Sequence, residues 1–168
     1  MLYTETPGIL HIETSTDVCS VAVSEGSGVI YHEERREGHS SDSLGSMVSD
    51  ALSFADSHAI PLHAVAVSSG PGSYTGLRIG VSMAKGVCFG RDLKLISVPT
   101  LQLLCVPVLI SDELTVTAGN GAGAAPLPDD ALLCPMVDAR RMEVYAAVFD
   151  RSLHCLRDVQ ADIVDAGT

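Results

Sequence analysis

The chain has 168 residues, room for one domain and part of a second, and 46% of them are apolar, enough for a core. Its 10 Lys and Arg face 21 Asp and Glu, a formal net charge of −11, with 4% aromatic residues and no Trp; such a chain repels phosphate backbones and offers few stacking platforms, which argues against unaided nucleic-acid binding. No apolar run approaches the roughly 20 residues of a membrane span, and residues 1–8 lack a basic region followed by an apolar segment, so no leader is expected.

In chain order, residues 9–12 form a short apolar strand, broken by Glu13-Thr14-Ser15-Thr16-Asp17. Residues 19–25 alternate, with Cys19, Val21 and Val23 on one side and Ser20, Ala22 and Ser24 on the other, which predicts a half-buried strand. Gly26-Ser27-Gly28 turns the chain into a third strand over 29–36, and three strands with tight turns make an antiparallel meander. Residues 43–57 read as a helix, because Leu44, Met47, Val48, Ala51, Leu52 and Ala55 fall on one stripe. Ser40, Ser41 and Asp42 are its candidate caps.

Residues 64–68 are Val-rich and read as a buried strand. Gly70-Pro71-Gly72 stops it, and Ser73 and Thr75 can cap a helix running to about residue 90. Ile79, Met83, Ala84, Val87 and Cys88 share a face of that helix, while Gly76, Gly80, Gly86 and Gly90 thin it. An interior glycine costs roughly 1 kcal/mol against alanine, a cost that accompanies close backbone packing. The helix is therefore expected to press against something, in this chain or another. A strand over 93–98 and a helix from Pro99-Thr100 to about residue 106 complete the order β-β-β-α-β-α-β-α, an α/β lobe with a mixed five-stranded sheet. The lobe spans 1–110. Residues 111–131, with Gly119-Asn120-Gly121-Ala122-Gly123, read as a flexible linker. Residues 132–168 hold a hairpin of strands 132–137 and 144–149 and a tail with one further strand, a partial second lobe.

The strand, glycine turn and helix start of 64–78 aim several N–H groups at one spot, which suits an anion, a phosphate or another chain's backbone. The alternative is a tight connection that holds no ligand. The turn is not a Walker A loop, since no Gly-Lys-Ser/Thr ends it, and Gly70, Gly72 and Gly76 do not have dinucleotide-loop spacing. Five cysteines, odd in number and without Cys-x-x-Cys, fit buried residues in a reducing cytoplasm.

Four segments carry a family resemblance: Ile9-Leu-His-Ile-Glu-Thr-Ser-Thr16, Cys19-Ser-Val-Ala-Val23, Gly70-Pro-Gly-Ser-Tyr-Thr-Gly-Leu-Arg-Ile-Gly80, and Val137-Asp-Ala-Arg140 followed by Glu143-Val-Tyr145. In order and spacing the chain resembles the TsaB (YeaZ-like) family over about residues 9–149. The resemblance implies an actin-like fold of the acetate kinase–Hsp70–actin class, related to ribonuclease H, whose second lobe is longer than what stands here. It implies a non-catalytic cytoplasmic partner without a cofactor of its own. Such proteins pair with the paralogous transferase TsaD and the ATPase TsaE, which together install N6-threonylcarbamoyladenosine on tRNA, so that tRNA is met only indirectly. The dock would be a helix-to-helix interface, with Leu44, Met47, Val48 and Leu52 on the first helix and Arg78, Ser82 and Lys85 on the second. Without the partner, a homodimer through the same helices is expected.

The catalytic paralogue's metal pair His-x-x-x-His falls here on Thr100 and Leu104, and a leucine cannot ligate a metal. The six histidines are scattered, and His39, in a polar loop, reads as exposed or capping. Glu13, Thr14 and Ser15, with Gly70, Gly72 and Ser73, are the candidate remnant of a nucleotide loop. Yet no glycine lies in 13–16 to bring backbone against a phosphate, and a strand end bonding its own turn is the other reading. Asp138 and Arg140 are a candidate surface ion pair. An actin-like ATP-binding enzyme and a metallopeptidase are the competing functions; the first needs two complete lobes, the second a ligand cluster.

Overall fold

The computed structural model describes residues 6–36, 40–118 and 126–164, and only the backbone of 40–42 and 113–118. His39 and most of the glycine-rich stretch lie outside the described residues, as do the side chains of the candidate caps Ser40, Ser41 and Asp42. The chain divides into two compact units, residues 1–98 and 99–168.

The first unit is built on one five-stranded sheet. Strands β1 (Gly8–Glu13), β2 (Val18–Glu25) and β3 (Gly28–Arg36) are followed by helix α1 (Ser40–Ser57), strand β4 (Leu62–Ser68), helix α2 (Tyr74–Arg91) and strand β5 (Lys94–Val98). The order across the sheet is β3-β2-β1-β4-β5. The short turns after β1 and β2 force antiparallel pairing, and the two helical crossovers bring β4 and β5 in parallel, as the sequence predicts. Register puts Leu10 between Val23 and Val65, and Ile12 between Val21 and Val67. These side chains all lie on the face that α1 and α2 cover, and they are buried with Leu44, Met47, Val48, Ala51 and Ala84.

On the opposite face, His11 sits between Ala22 and Ala66 in the register. Its Nε2 meets the Ser24 hydroxyl at 2.8 Å. Burial disfavours the charged imidazole and lowers its pKa below the ordinary histidine value.

The second unit begins earlier than the linker reading placed it. Helix α3 runs Thr100–Ala118, past the expected end near residue 106 and across Pro107. Leu101 and Cys105 bury against Leu133, Ala147 and Phe149 of the same unit, so the boundary falls at Val98 and Pro99, not at 110. The sequence misleads here because α3 is apolar nearly all round, with Leu103, Leu104, Val108 and Ile110 exposed, and shows no stripe to follow past a proline. Strands β6 (Met136–Arg140), β7 (Glu143–Phe149) and β8 (Cys155–Ile163) form an antiparallel sheet in chain order. β6 starts four residues later than expected, because Leu133 makes only an isolated bridge to Phe149. Arg140 does not pair its guanidinium with Asp138; its backbone N–H donates to Asp138 Oδ1 at 2.8 Å.

A buried polar clamp ties α3 to the segment before β6. Asp112 is only 4% exposed at its side chain and meets Arg151 at 2.6 Å. Its other oxygen accepts the Leu127 N–H at 2.6 Å, and Arg151 donates to the carbonyls of Leu127 and Pro128. Removing one member strands a buried charge.

Two outcomes follow from these contacts. Arg151→Ala lowers stability by about 2–4 kcal/mol in denaturant unfolding, while Arg36→Ala, whose ion pair is exposed, changes it by less than about 1 kcal/mol. For His11, the unfolded chain takes up the proton first, so stability is full above the ordinary histidine pKa and falls as pH drops through it toward the folded value. Thermal melts from about pH 7 to pH 5 record that fall, and His11→Gln flattens it.

Candidate functional site

The residues singled out as a nucleotide-loop remnant do come together. The turn after β1 lies directly against the glycine segment and the start of α2. The Ser73 N–H donates to the Ser15 carbonyl at 2.7 Å. A Cβ on Gly72 would strike the Ser15 carbonyl, one on Gly76 the Thr14 carbonyl, and one on Gly80 the Thr14 side chain. Gly70 turns the chain with φ 104°, a conformation that a side chain strains. Ser73 caps α2 by accepting the Gly76 N–H at 3.3 Å.

The carbonyl oxygens of Thr14 and Ser15 thus lie against the start of α2. Glu13 adds a carboxylate beside them. Its Oε1 accepts the Ser15 N–H at 2.6 Å and the Ser68 hydroxyl at 2.9 Å. This is a strand end bonding its own turn. The turn after β1 and the start of α2 thus pack directly on each other. Thr14 is buried, and its Oγ1 has no hydrogen-bond partner among the described residues.

The helix residues expected at an interface divide sharply. Leu44, Met47 and Val48 of α1 are buried in the core of the first unit, and Leu52 packs half-buried against it. A partner cannot reach the first three without opening that core, so Leu44, Met47 and Val48 hold the sheet, while Leu52 stays partly exposed. Arg78, Ser82 and Lys85 of α2 are exposed. They lie on one line with Tyr74, 75% exposed, and Phe89, 93% exposed, at helical spacing 74, 78, 82, 85, 89. Arg78 sits 5.4 Å over the Tyr74 ring. Beside this line runs an open groove of about 700 Å³, lined by Thr75, Ile79, Met83, Gly86 and Val87 together with Arg78 and Ser82. A Cβ at Gly86 or Gly90 would meet nothing within 4 Å. Two glycines of α2 therefore press on this chain's own turn, and two face open space. Tyr74 and Phe89 extend the expected line of Arg78, Ser82 and Lys85 by one turn at each end, and the same helical period read from Tyr74 finds them.

Thr100 opens α3 with its hydroxyl buried and without a hydrogen-bond partner among the described residues, and Leu104 is exposed one turn on. Among the described residues no three His, Cys, Asp or Glu side chains converge.

The packing reading predicts opposite effects at two neighbouring positions. Gly80→Ala destabilises by about 2–4 kcal/mol through its clash with Thr14. Thr14→Val, which removes an unsatisfied hydroxyl at constant shape, stabilises by about 1 kcal/mol. Chemical denaturation of both variants measures this.

Residues 20–167 match the family described as "TsaD: tRNA N6-adenosine threonylcarbamoyltransferase". The chain is 33% identical over 147 residues to the tRNA threonylcarbamoyladenosine biosynthesis protein TsaB of Escherichia coli (strain K12), covering 85% of this chain and 55% of that protein. It is 31% identical over 156 residues to the protein of the same name from Bacillus subtilis (strain 168), covering 92% of this chain and 60% of the relative. The chain thus spans little more than half the length of these relatives. YeaZ from Pseudomonas aeruginosa superposes with a TM-score of 0.65 at 20% identity, over 92% of this chain and 67% of that one. That likeness is one of fold, and the first unit is an actin-like, ribonuclease H-like lobe. The chain belongs to the family that the TsaD match describes, in its TsaB (YeaZ-like) branch.

Proposed function

We propose that this chain is a non-catalytic partner subunit in the formation of N6-threonylcarbamoyladenosine on tRNA, supporting a TsaD-type transferase through a helix-to-helix interface. The observation that carries the reading is the outer face of α2. It exposes two aromatic rings and two cations on one line, beside a groove lined by the apolar side chains of Ile79, Met83 and Val87 with the small Thr75, Ser82 and Gly86. An open apolar groove gives a second helix a surface to bury, and exposed aromatics with arginine are enriched in interface cores. The names of the relatives point the same way. The turn after β1 supports the non-catalytic half of the reading, because its own carbonyls stand where a phosphate would need donors.

In this reading the transferase supplies the metal and the chemistry, a TsaE-type ATPase completes the assembly in the cytoplasm, and tRNA is reached through these partners. A copy of the chain takes the same face when the transferase is missing. The dock belongs to α2 and not to the α1 stripe, which fills the core.

Mixing the chain with a TsaD-type transferase and resolving the species by size exclusion tests this. The wild-type chain co-elutes with the transferase. Ser82→Trp, at an exposed position in the middle of the face, weakens the complex at least about tenfold without lowering the melting temperature. A wild-type chain that never co-elutes contradicts the reading.

A further inference from the structure

We propose that Glu13 is a positioning residue for the outer face of α2: through hydrogen bonds to Ser15 and Ser68 its carboxylate fixes where that face begins, and with it the affinity for whatever docks there. The inference rests on the partner reading above and adds a residue that does not belong to the docking face.

A chain of contacts runs from the carboxylate to the face. Glu13 Oε1 accepts the Ser15 N–H at 2.6 Å. The Ser15 carbonyl accepts the Ser73 N–H at 2.7 Å. The Ser73 hydroxyl accepts the Gly76 N–H at 3.3 Å and so caps α2. Tyr74 follows Ser73 directly, and Arg78 sits over its ring one turn on. The same Oε1 accepts the Ser68 hydroxyl at 2.9 Å. Ser68 ends β4, just before the glycine turn that leads into α2. One carboxylate oxygen therefore ties both legs of the joint, the turn on which α2 packs and the strand that feeds it.

The far end of α2 is held separately. Arg91 grips Asp56 of α1 through both terminal guanidinium nitrogens at 2.7 Å. Asp92 closes the helix, its backbone N–H donating to the Cys88 carbonyl. From Tyr74 to Arg91 the helix has 18 residues, about 26 Å along its axis. Pinned at that end and loosened at the other, it swings most at Tyr74. Interface cores pack as densely as protein interiors, so a displaced anchor ring lowers affinity although no contact residue has been removed. What Glu13 supplies here is reach and acceptor geometry. The amide oxygen of a glutamine can accept the same two hydrogens without the charge.

Three variants of the full chain separate geometry from charge. Glu13→Gln keeps both acceptor bonds, Glu13→Ala loses both, and Ser68→Ala releases the β4 leg alone. Sedimentation velocity measures two affinities, for a TsaD-type transferase and for a second copy of the chain. It is run at a temperature where circular dichroism shows the chains folded, so that lost stability alone leaves both affinities unchanged. Glu13→Ala weakens both about tenfold, Ser68→Ala weakens both about threefold, and Glu13→Gln stays within about twofold of wild type. Ser68→Ala, a change of one oxygen atom, carries the test if Glu13→Ala does not fold. Wild-type affinities in folded Glu13→Ala, or in Ser68→Ala, overturn the proposal. So does a Glu13→Gln chain as weak as Glu13→Ala, which would assign the effect to charge. Loss of transferase binding with self-association intact overturns it as well, since Glu13 would then touch the transferase itself. A wild-type chain that pairs with its own copy but never with the transferase instead overturns the partner reading, and its self-association still tests Glu13.

Discussion

The contact on which the structure turns is backbone against backbone: the carbonyls of Thr14 and Ser15 pressed into the first two turns of α2. Only glycine permits it at positions 72 and 76, Gly80 makes room for the Thr14 side chain, and the Ser73 N–H locks the contact through Ser15. Everything useful about the first unit follows from that approach. It pins the loop between the two central antiparallel strands to the helix that crosses from β4 to β5. It also orients α2, so that Ala84 goes into the core and the line from Tyr74 to Phe89 goes outward.

The same contact decides what the turn can do. A strand end and a helix N-terminus meeting at a glycine turn form the ordinary cradle for a phosphate, and the positive end of the helix dipole favours negative charge there. Here the Ser15 carbonyl accepts the Ser73 N–H, the Ser73 hydroxyl accepts the Gly76 N–H, and the Glu13 carboxylate bonds the same turn. In this chain the same geometry serves as an internal joint between the β1–β2 turn and α2. The glycines that look like a binding signature are the price of the close approach.

Much of this was legible in the sequence. The alternation of Cys19, Val21 and Val23 and the stripe from Leu44 to Ala55 identify their elements and their buried faces. The glycines of 70–80 announce a close contact, and the missing glycine in 13–16 points away from a phosphate. What could not be read is which backbone the glycines meet, since that contact joins positions some sixty residues apart. Nor can an apolar stripe say whether it faces core or partner: Leu44, Met47 and Val48 are core, and the outward line of α2 is more polar and less conspicuous. The end of α3 was hidden because Pro107 mimics a stop signal in a helix apolar on every side. The Asp112–Arg151 clamp, 39 residues apart in the chain, leaves no periodic trace at all.

The account assigns the inner side of α2 to this chain and its outer side to another. Amide hydrogen exchange of the chain with and without a TsaD-type transferase compares the two sides in one experiment. Added protection centred on residues 78–89, with the 13–16 turn equally protected in both states, is the predicted result. Protection that leaves residues 78–89 untouched would contradict the account.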